Sequence, residues 1–460
     1  MQLRRLLFLA AISCWSAVWS SPAPALDDPA ARARVTRLEN GLVVVTLEDT
    51  STPVVSFQMW VKVGSRDEAG YTGLAHLFEH MMFNGSKNIG PEQHAELIAA
   101  RGGAVNAYTS NDQTVYHDDV TRETLPLVID LEYERLANLD ISAKTLDRER
   151  QVVLEERRLR SEDAPMGRLY EGLFALMWQA LPYRTPVIGW RSDVEKATVE
   201  VCREFFATYY APNNIVVVIT GDFDSNDALA QIQRTFGKLR PSESVPRNPT
   251  EEPEQRGERR AVVHFDVSGP LLAAGWHAPA TGSPDGEALD VLSMILSDGR
   301  SSRLYRSLVH DAEIALSAMG AYWEFDAAGA FVAIATVRPG VPVAEVERRF
   351  FAEIERVRRE PVTEAELDKA KRYLTGQYPL GLQAPDDLAE ALLDVEFYGL
   401  APDYLQTFAA RINAVTMEDV RRALKSYFCV DDLSILVVSN PETAKKDLAG
   451  LGPIEVKALE

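Results

Sequence analysis

The chain has 460 residues, of which 46% are hydrophobic and 25% are charged, and it carries a net charge of −20 at pH 7. This composition is that of a soluble globular protein, and the length is too great for one ordinary hydrophobic core, so we expect two or more domains. The negative charge argues against nucleic acids and anionic lipids as partners. Beyond the first 25 residues, no stretch stays apolar for long enough to span a bilayer.

The N-terminal segment, residues 1–25, is typical of a secretory signal peptide. Arg4 and Arg5 precede an apolar run over residues 6–11, and Ala23-Pro24-Ala25 provides a small-x-small cleavage site. We therefore expect an exported protein, periplasmic or secreted, whose first folded domain begins at residue 26.

Strands and helices alternate in the segment that follows. Residues 35–47 and 54–63 have the β-branched, alternating pattern of strands, residues 91–101 predict an amphipathic helix, and residues 104–120 predict a strand pair. Residues 215–220 form a strand too apolar to be exposed on either face. Three segments with helical periodicity lie between the strand pair at residues 104–120 and the strand at residues 215–220, and they cover residues 125–138, 142–160 and 166–181.

Three polar residues interrupt an apolar stretch at residues 73–83, and they form the motif H-x-x-E-H. On a helix, His76 and His80 project from one face a turn apart, and Glu79 lies on the adjoining flank. Two neutral imidazoles at this spacing can share one tetrahedral Zn²⁺, and the neighbouring carboxylate can accept a proton from a water bound there. The motif therefore predicts a zinc site with an adjacent base.

A charged, proline-containing linker is predicted at residues 239–260, and beyond it the pattern restarts. An ungapped match between the two parts of the chain contains four identities in one register: Thr198 with Thr416, Glu200 with Glu418, Arg203 with Arg421, and Tyr209 with Tyr427. We therefore expect a zinc-binding domain over residues 26–238 and a homologous domain over residues 261–460. The second domain lacks the motif, because the corresponding positions fall near Asp290, Ser293 and Met294.

Two histidines leave a zinc site short of a protein ligand, so a third ligand is expected elsewhere. The predicted helix over residues 142–160 offers Glu149, Glu155 and Glu156. Glu149 and Glu156 are seven positions apart and share a face, whereas Glu155 is rotated from Glu156 by about 100°. Spacing alone does not choose among the three.

Taken together, these motifs make the sequence resemble the pitrilysin-like (M16) metallopeptidases, a family that includes insulin-degrading enzyme and the mitochondrial processing peptidase. The resemblance covers nearly the whole mature chain. Besides H-x-x-E-H and the glutamate helix, it rests on Gly64-Ser65-Arg66-Asp67-Glu68, Asn106-Ala107-Tyr108-Thr109, Pro182-Tyr183 with Ile188-Gly189, Tyr210-Ala211-Pro212-Asn213-Asn214, and Ser302-Arg303-Leu304.

The resemblance implies roles for individual residues. His76, His80 and Glu156 would bind one Zn²⁺, and Glu79 would be the general base. Glu149 would be a carboxylate that supports a ligand without touching the metal; the alternative for Glu149 is an exposed helix charge.

The resemblance also implies an α+β fold of two homologous α/β halves, each a mixed, mostly antiparallel sheet with packed helices, and a clam-like chamber formed by two such pairs. A peptide substrate would lie as an added strand along a sheet edge near residues 103–109, where Asn106 and Ala107 are the candidate contacts. A plain edge strand would fit these two residues about equally well.

One departure from the family pattern bears on activity. Active members carry an arginine and a tyrosine, seven positions apart, after the Ser-Arg-Leu segment, and here those positions fall on Val309 and Leu316. Neither side chain donates a hydrogen bond. Arg306 and Tyr322 are nearby, but their spacing differs.

Some short bacterial members divide the zinc motif and the Arg/Tyr pair between two subunits. We therefore expect an exported zinc endopeptidase that acts as the catalytic subunit of a heterodimer with a homologous chain. The alternatives are a non-catalytic structural subunit and a peptide-binding module that retains zinc.

Overall fold

The computed structural model describes residues 29–360, 362–429 and 432–441, so the predicted secretory signal at residues 1–25 lies outside the described residues. The fold is α+β, with two mixed, mostly antiparallel sheets and helices packed on both of them. This confirms the predicted fold class. None of the helices formed by these residues combines the length and the apolar character that crossing a bilayer requires.

The first sheet has six strands in the order β1-β2-β6-β3-β5-β4, so β4 is an edge strand. Its strands are β1 (Arg34–Arg37), β2 (Val43–Glu48), β3 (Val55–Val61), β4 (Ala104–Thr109), β5 (Thr114–Val120) and β6 (Ile215–Gly221). The helices of this half are α1 (Leu74–Met81), α2 (Gln93–Ala99), α3 (Leu125–Asn138), α4 (Ala143–Arg157), α5 (Pro165–Met177), α6 (Arg191–Lys196), α7 (Val199–Tyr209) and α8 (Ser225–Arg234). Strands β3 and β6 are buried along their whole length, as their continuous apolar sequence predicts.

The second sheet has five strands in the order β7-β11-β8-β10-β9, so β9 is an edge strand. Its strands are β7 (Arg259–His264), β8 (Leu271–Ala278), β9 (Ala315–Trp323), β10 (Gly329–Val337) and β11 (Ser434–Ser439). The helices are α9 (Gly286–Ser297), α10 (Val343–Arg359), α11 (Glu364–Gln377), α12 (Pro385–Phe397), α13 (Tyr404–Ala414) and α14 (Met417–Tyr427). In each sheet one strand pair is parallel, β2 with β6 and β7 with β11.

The duplication seen in the sequence is visible in matching elements. Helices α7 and α14 begin and end at equivalent positions of the ungapped match, and each is followed by a buried inner strand of its sheet. A threonine caps both helices: the side chain of Thr198 accepts from the backbone N–H of Val201, and Thr416 accepts from that of Asp419. The two halves are therefore built from the same unit.

The halves exchange one helix each. Helix α12, from the second half, packs on the face of the first sheet that α1 does not cover, where Leu388, Leu392 and Leu393 join a buried cluster with strand residues. Helix α5, from the first half, covers the second sheet in the same way through Leu169 and Leu173. Each sheet is thus buried on both faces only when both halves are present.

The segment predicted as a linker follows a fixed path. The Glu252 carboxylate accepts hydrogen bonds from the backbone N–H groups of Gln179, Ala180 and Leu181, at 2.7, 2.8 and 2.9 Å. Strand β7 begins at Arg259, inside the predicted linker. This connection is held against the end of α5 and differs from a free spacer.

Candidate metal centre and catalytic site

Helix α1 begins at a position that glycine alone fits. Gly73 has φ of +86°, and a Cβ atom there would lie 2.6 Å from the carbonyl oxygen of Ile188. The Glu68 carboxylate accepts from the backbone N–H groups of Gly73 and Ala75, at 2.7 and 2.8 Å, and so satisfies donors at the free end of the helix. Leu74, Leu77, Phe78 and Met81 form one face of the helix, which is buried in the first core, and His76, Glu79 and His80 lie on the other face.

The structure brings the three predicted ligands together. Nε2 of His80 lies 3.1 Å from Oε2 of Glu156, and Nε2 of His76 lies 3.7 Å from the same oxygen. One nitrogen or oxygen from each residue falls within 4.8 Å of the others. Helix α4 packs beside α1, which is why two segments distant in the sequence converge on one point.

The donor set fits a zinc ion. Burial lowers the pKa of His76 to about 4, and the neighbouring His80 adds to that effect. The imidazole of His76 is therefore neutral near pH 7, and one of its ring nitrogens has a lone pair that can bind a metal. Burial also acts to lower the pKa of His80, but hydrogen bonds with Glu149 and Glu156 outweigh it and raise the value to about 9. Two imidazoles and a carboxylate at these separations are ligands that zinc accepts, and a metal cation would take the place of the His80 proton.

The glutamates that the sequence left unresolved occupy three different environments. Glu156 faces both histidines through Oε2, while its Oε1 pairs with Arg160 Nη1 at 2.6 Å. Glu149 is buried, and its Oε2 lies 3.4 Å from Nδ1 of His80, the ring nitrogen that faces away from Glu156. Glu155 is exposed and pairs with Arg158.

Glu79, the predicted base, lies beside the two histidines and is half-buried. Burial raises the pKa of its carboxyl group above the ordinary value of 4.5. Its Oε2 accepts a hydrogen bond of 2.6 Å from the hydroxyl of Thr109, at the end of strand β4. This contact is one that our interpretation of the sequence missed, although Thr109 stood at the end of a predicted strand and within a segment that carried the family resemblance.

The residues predicted to contact substrate lie at the sheet edge that faces this site. Asn106 and Ala107 are in the middle of β4, which pairs with β5 on one side only. Asn106 is exposed, and its Oδ1 accepts from the backbone N–H of Ala107 at 2.9 Å. The free side of β4 can therefore pair with another extended chain.

A cavity of about 370 Å³ opens beside the histidines. His76, Thr109 and Glu156 form part of its wall. Another part of the wall is aromatic and comes from both halves of the chain: Tyr170 and Phe174 from α5, and Trp323 from β9. The rings of Tyr170 and Phe174 lie 5.4 and 5.6 Å from that of Trp323, centroid to centroid. These rings offer an apolar surface to a bound side chain.

A second group of possible ligands, His94, Asp118 and Glu132, is buried within the first half. There, a cation is already supplied by the chain. Nε of Arg135 donates to Oε2 of Glu132 at 2.9 Å, and a second guanidinium nitrogen donates to the other oxygen. In the His76 group the neighbouring cation, Arg160, pairs only with Oε1 of Glu156, and Oε2 still faces both histidines. The His76 group is therefore the better candidate for a metal.

The positions expected for an Arg/Tyr pair hold no side-chain hydrogen-bond donor. Val309 packs against the second core, and Leu316 is 53% exposed at an irregularity in the pairing of β9 with β10. The nearby alternatives do not replace them: Arg306 is exposed, and the Tyr322 hydroxyl is used in a hydrogen bond of 2.7 Å to the carbonyl of Pro279.

Comparisons with known proteins agree with the sequence resemblance. A family model described as insulinase (peptidase family M16) matches residues 43–189, and a model described as the peptidase M16 inactive domain matches residues 196–374. Zinc protease PqqE of Helicobacter pylori is 32% identical over 85% of this chain and 89% of that protein. An uncharacterized zinc protease of Mycobacterium tuberculosis is also 32% identical, over 85% of this chain and 90% of that protein.

Solved structures show the same fold. A protease from Helicobacter pylori superposes with a TM-score of 0.85 and 29% identity, and the match covers 88% of this chain and 99% of that one. The periplasmic protease PqqL from Escherichia coli has a TM-score of 0.75 and 20% identity, with 90% of this chain matching 48% of that longer one. The chain belongs to the M16 family of peptidases, as the sequence predicted.

Proposed function

We propose that this protein is an exported, zinc-dependent endopeptidase that hydrolyses peptides. The observation that carries the proposal is the convergence of His76, His80 and Glu156 on one point, with the Glu79 carboxylate beside them. A zinc ion held there would polarise a peptide carbonyl and make a water acidic enough to be deprotonated near neutral pH. The relatives named as zinc proteases support this assignment.

Side chains of this protein would carry out the proton transfer and hold the reacting groups in position. Glu79 accepts the proton of the attacking water and passes it to the leaving amine, because a carboxyl group with a raised pKa can serve as base and then as acid. Thr109 fixes the Glu79 carboxylate by a hydrogen bond. Glu149 holds the imidazole ring of His80 in orientation through Nδ1.

The substrate would bind in an extended conformation along the free side of β4, with its backbone beside Asn106 and Ala107. Its side chain nearest the metal would enter the aromatic cavity lined by Tyr170, Phe174 and Trp323. We therefore expect peptides with a large apolar residue next to the cleaved bond to be the better substrates.

A second, homologous subunit would complete the site. The side chains of Val309 and Leu316 provide no hydrogen-bond donor for the substrate or for the charge that develops on its carbonyl oxygen. The fold match to the E. coli protein, which covers only about half of that longer chain, supports a pairing of two such units. That neighbour is described as periplasmic, which agrees with the export signal predicted at residues 1–25.

The test is peptide hydrolysis by the purified mature chain, alone and mixed with a homologous chain that has the Arg/Tyr pair and lacks H-x-x-E-H, with bound zinc measured in the same samples. We expect one zinc per chain and hydrolysis only in the mixture. Glu79→Gln should retain zinc and lose about 10²- to 10⁴-fold in rate, the usual contribution of a general base. Equal hydrolysis by the chain alone would disprove the need for a partner.

A second candidate function is a peptide-binding subunit that keeps zinc without turnover, and the absence of side-chain donors at Val309 and Leu316 is the observation that favours it. It predicts zinc and peptide binding but no hydrolysis in either sample. Failure to bind zinc at all would refute both candidates.

A further inference from the structure

A cavity rich in arginine lies in the second half, between the π-helical turn Tyr305–Asp311, helix α10 and the start of helix α11. Its volume is about 820 Å³, more than twice that of the cavity beside His76, at about 370 Å³. Five arginines line it, in a chain whose net charge is −20: Arg303, Arg306, Arg348, Arg349 and Arg356.

Three of the four acidic groups of the cavity are already paired with two of these arginines. Arg303 holds Glu366 through two hydrogen bonds of 2.7 and 2.9 Å. Arg356 contacts both Glu353 and Glu360. These pairs leave little negative charge for the remaining arginines.

The remaining arginines form no ion pair with a carboxylate of the described residues, although a hydrogen bond from His310, together with Arg306 and Arg349, lowers the pKa of the nearby Asp311. The guanidinium groups of Arg306 and Arg348 make no hydrogen bond or ion pair with any residue in the described part of the chain. Arg349 uses only Nε, which donates to the carbonyl of Ser307 at 3.0 Å, so its two terminal nitrogens stay available. The fourth acid, Asp311, contacts Nδ1 of His310 at 2.7 Å. Three guanidinium groups thus share one cavity with a single, exposed carboxylate.

Arg303 supplies an independent indication of a missing acceptor. The residue is only 7% exposed, and its Nη1 is buried without a hydrogen-bond partner in the described residues. A buried guanidinium nitrogen without an acceptor is unfavourable, because it has lost water and gained nothing in return. An anion in the cavity would supply that acceptor.

We propose that this cavity binds a small, multivalent oxyanion bearing phosphate or carboxylate groups. Guanidinium groups pair with both kinds of oxyanion through parallel hydrogen bonds, and several of them around one cavity favour a ligand with more than one negative group. The volume exceeds what a single phosphate requires. The site is formed entirely by second-half residues that the proposed peptidase mechanism does not use.

Isothermal titration of the full mature chain with tripolyphosphate and with citrate, at matched ionic strength in chloride, tests this proposal. We expect saturable binding, weakened about tenfold by Arg306→Gln and by Arg348→Gln, since a hydrogen bond to a charged group contributes about that factor. Arg359→Gln is the matched control, because Arg359 lies on the same helix as Arg348, is exposed, and pairs with Glu355 outside the cavity.

Binding of tripolyphosphate alone would assign the site to phosphate ligands, and binding of citrate alone to carboxylate ligands; either result supports an oxyanion site. The proposal is overturned if neither probe binds saturably, or if Arg359→Gln weakens binding as much as the cavity variants do. Unchanged melting temperatures of the variants show that the fold is intact, so a loss of binding reports on the cavity itself.

Discussion

Replacing Thr109 with valine removes one hydrogen bond from the proposed base and changes little else. Valine has nearly the same shape as threonine and suits a strand equally well, so β4 keeps its pairing with β5. The hydroxyl of Thr109 donates to Oε2 of Glu79 at 2.6 Å, a short distance for a bond to a carboxylate. Without it, the carboxylate loses both a fixed orientation and part of its stabilisation.

The size of the effect follows from the kind of bond. A hydrogen bond to a charged group contributes about 1.5 to 3 kcal/mol, which corresponds to a fall in kcat/KM of about ten- to a hundredfold. Thr109→Ser keeps the hydroxyl and should retain most of the activity. Thr336→Val is the control, because Thr336 lies on β10 and its hydroxyl accepts from Ser317, away from Glu79.

The assay is peptide hydrolysis under the conditions in which the wild-type protein is active, with bound zinc measured for every variant. We expect wild-type zinc content in Thr109→Val together with the reduced kcat/KM. If Thr109→Val keeps full activity, or if Thr109→Ser loses as much as Thr109→Val, the hydroxyl has no part in positioning Glu79 and the proposed arrangement of the base is wrong.

Three further predictions concern the ligand environment, the helix exchange and an ion pair. Glu149→Gln should weaken zinc binding about ten- to a hundredfold, measured by competition with a chelator, because the carboxylate orients His80, whereas Glu155→Gln should not. Leu393→Ala, on the exchanged helix α12, should lower the free energy of unfolding by about 2 to 5 kcal/mol in chemical denaturation. The Arg303 ion pair lowers the pKa of Glu366 from 4.5 to about 2, so its stabilisation is present above pH 4.5 and is lost as the pH falls towards 2. Glu366→Gln should therefore lower the melting temperature more at about pH 6 than at about pH 2.5.

Each of these predictions has a result that contradicts it. Equal zinc affinity of the Glu149→Gln and Glu155→Gln variants would mean that the contact with His80 does not matter. A loss no greater than that of Leu380→Ala, whose side chain is exposed, would mean that α12 does not stabilise the first sheet. A pH-independent effect of Glu366→Gln would show that the ion pair does not titrate as described.

The sequence determined the local features of this protein. His76, Glu79 and His80 lie within one short motif, so helical geometry alone fixes their relation once α1 forms. The strands of the first sheet and the long helices follow from periodicity, and the repeat of one pattern in a single register predicted two similar halves. The family resemblance, which rests on short motifs, is confirmed by the comparisons.

The relative positions of site residues that come from different segments were decided only by the tertiary structure. Spacing on α4 could not separate the roles of Glu149, Glu155 and Glu156, because that choice depends on how α4 sits against α1, and the packing turns one carboxylate towards both histidines and another behind His80. Thr109 likewise reaches Glu79 only because β4 lies beside α1. The exchange of α5 and α12 was not predictable from their apolar faces. An apolar face shows that one side of a helix is buried, but it does not specify which sheet the helix packs on.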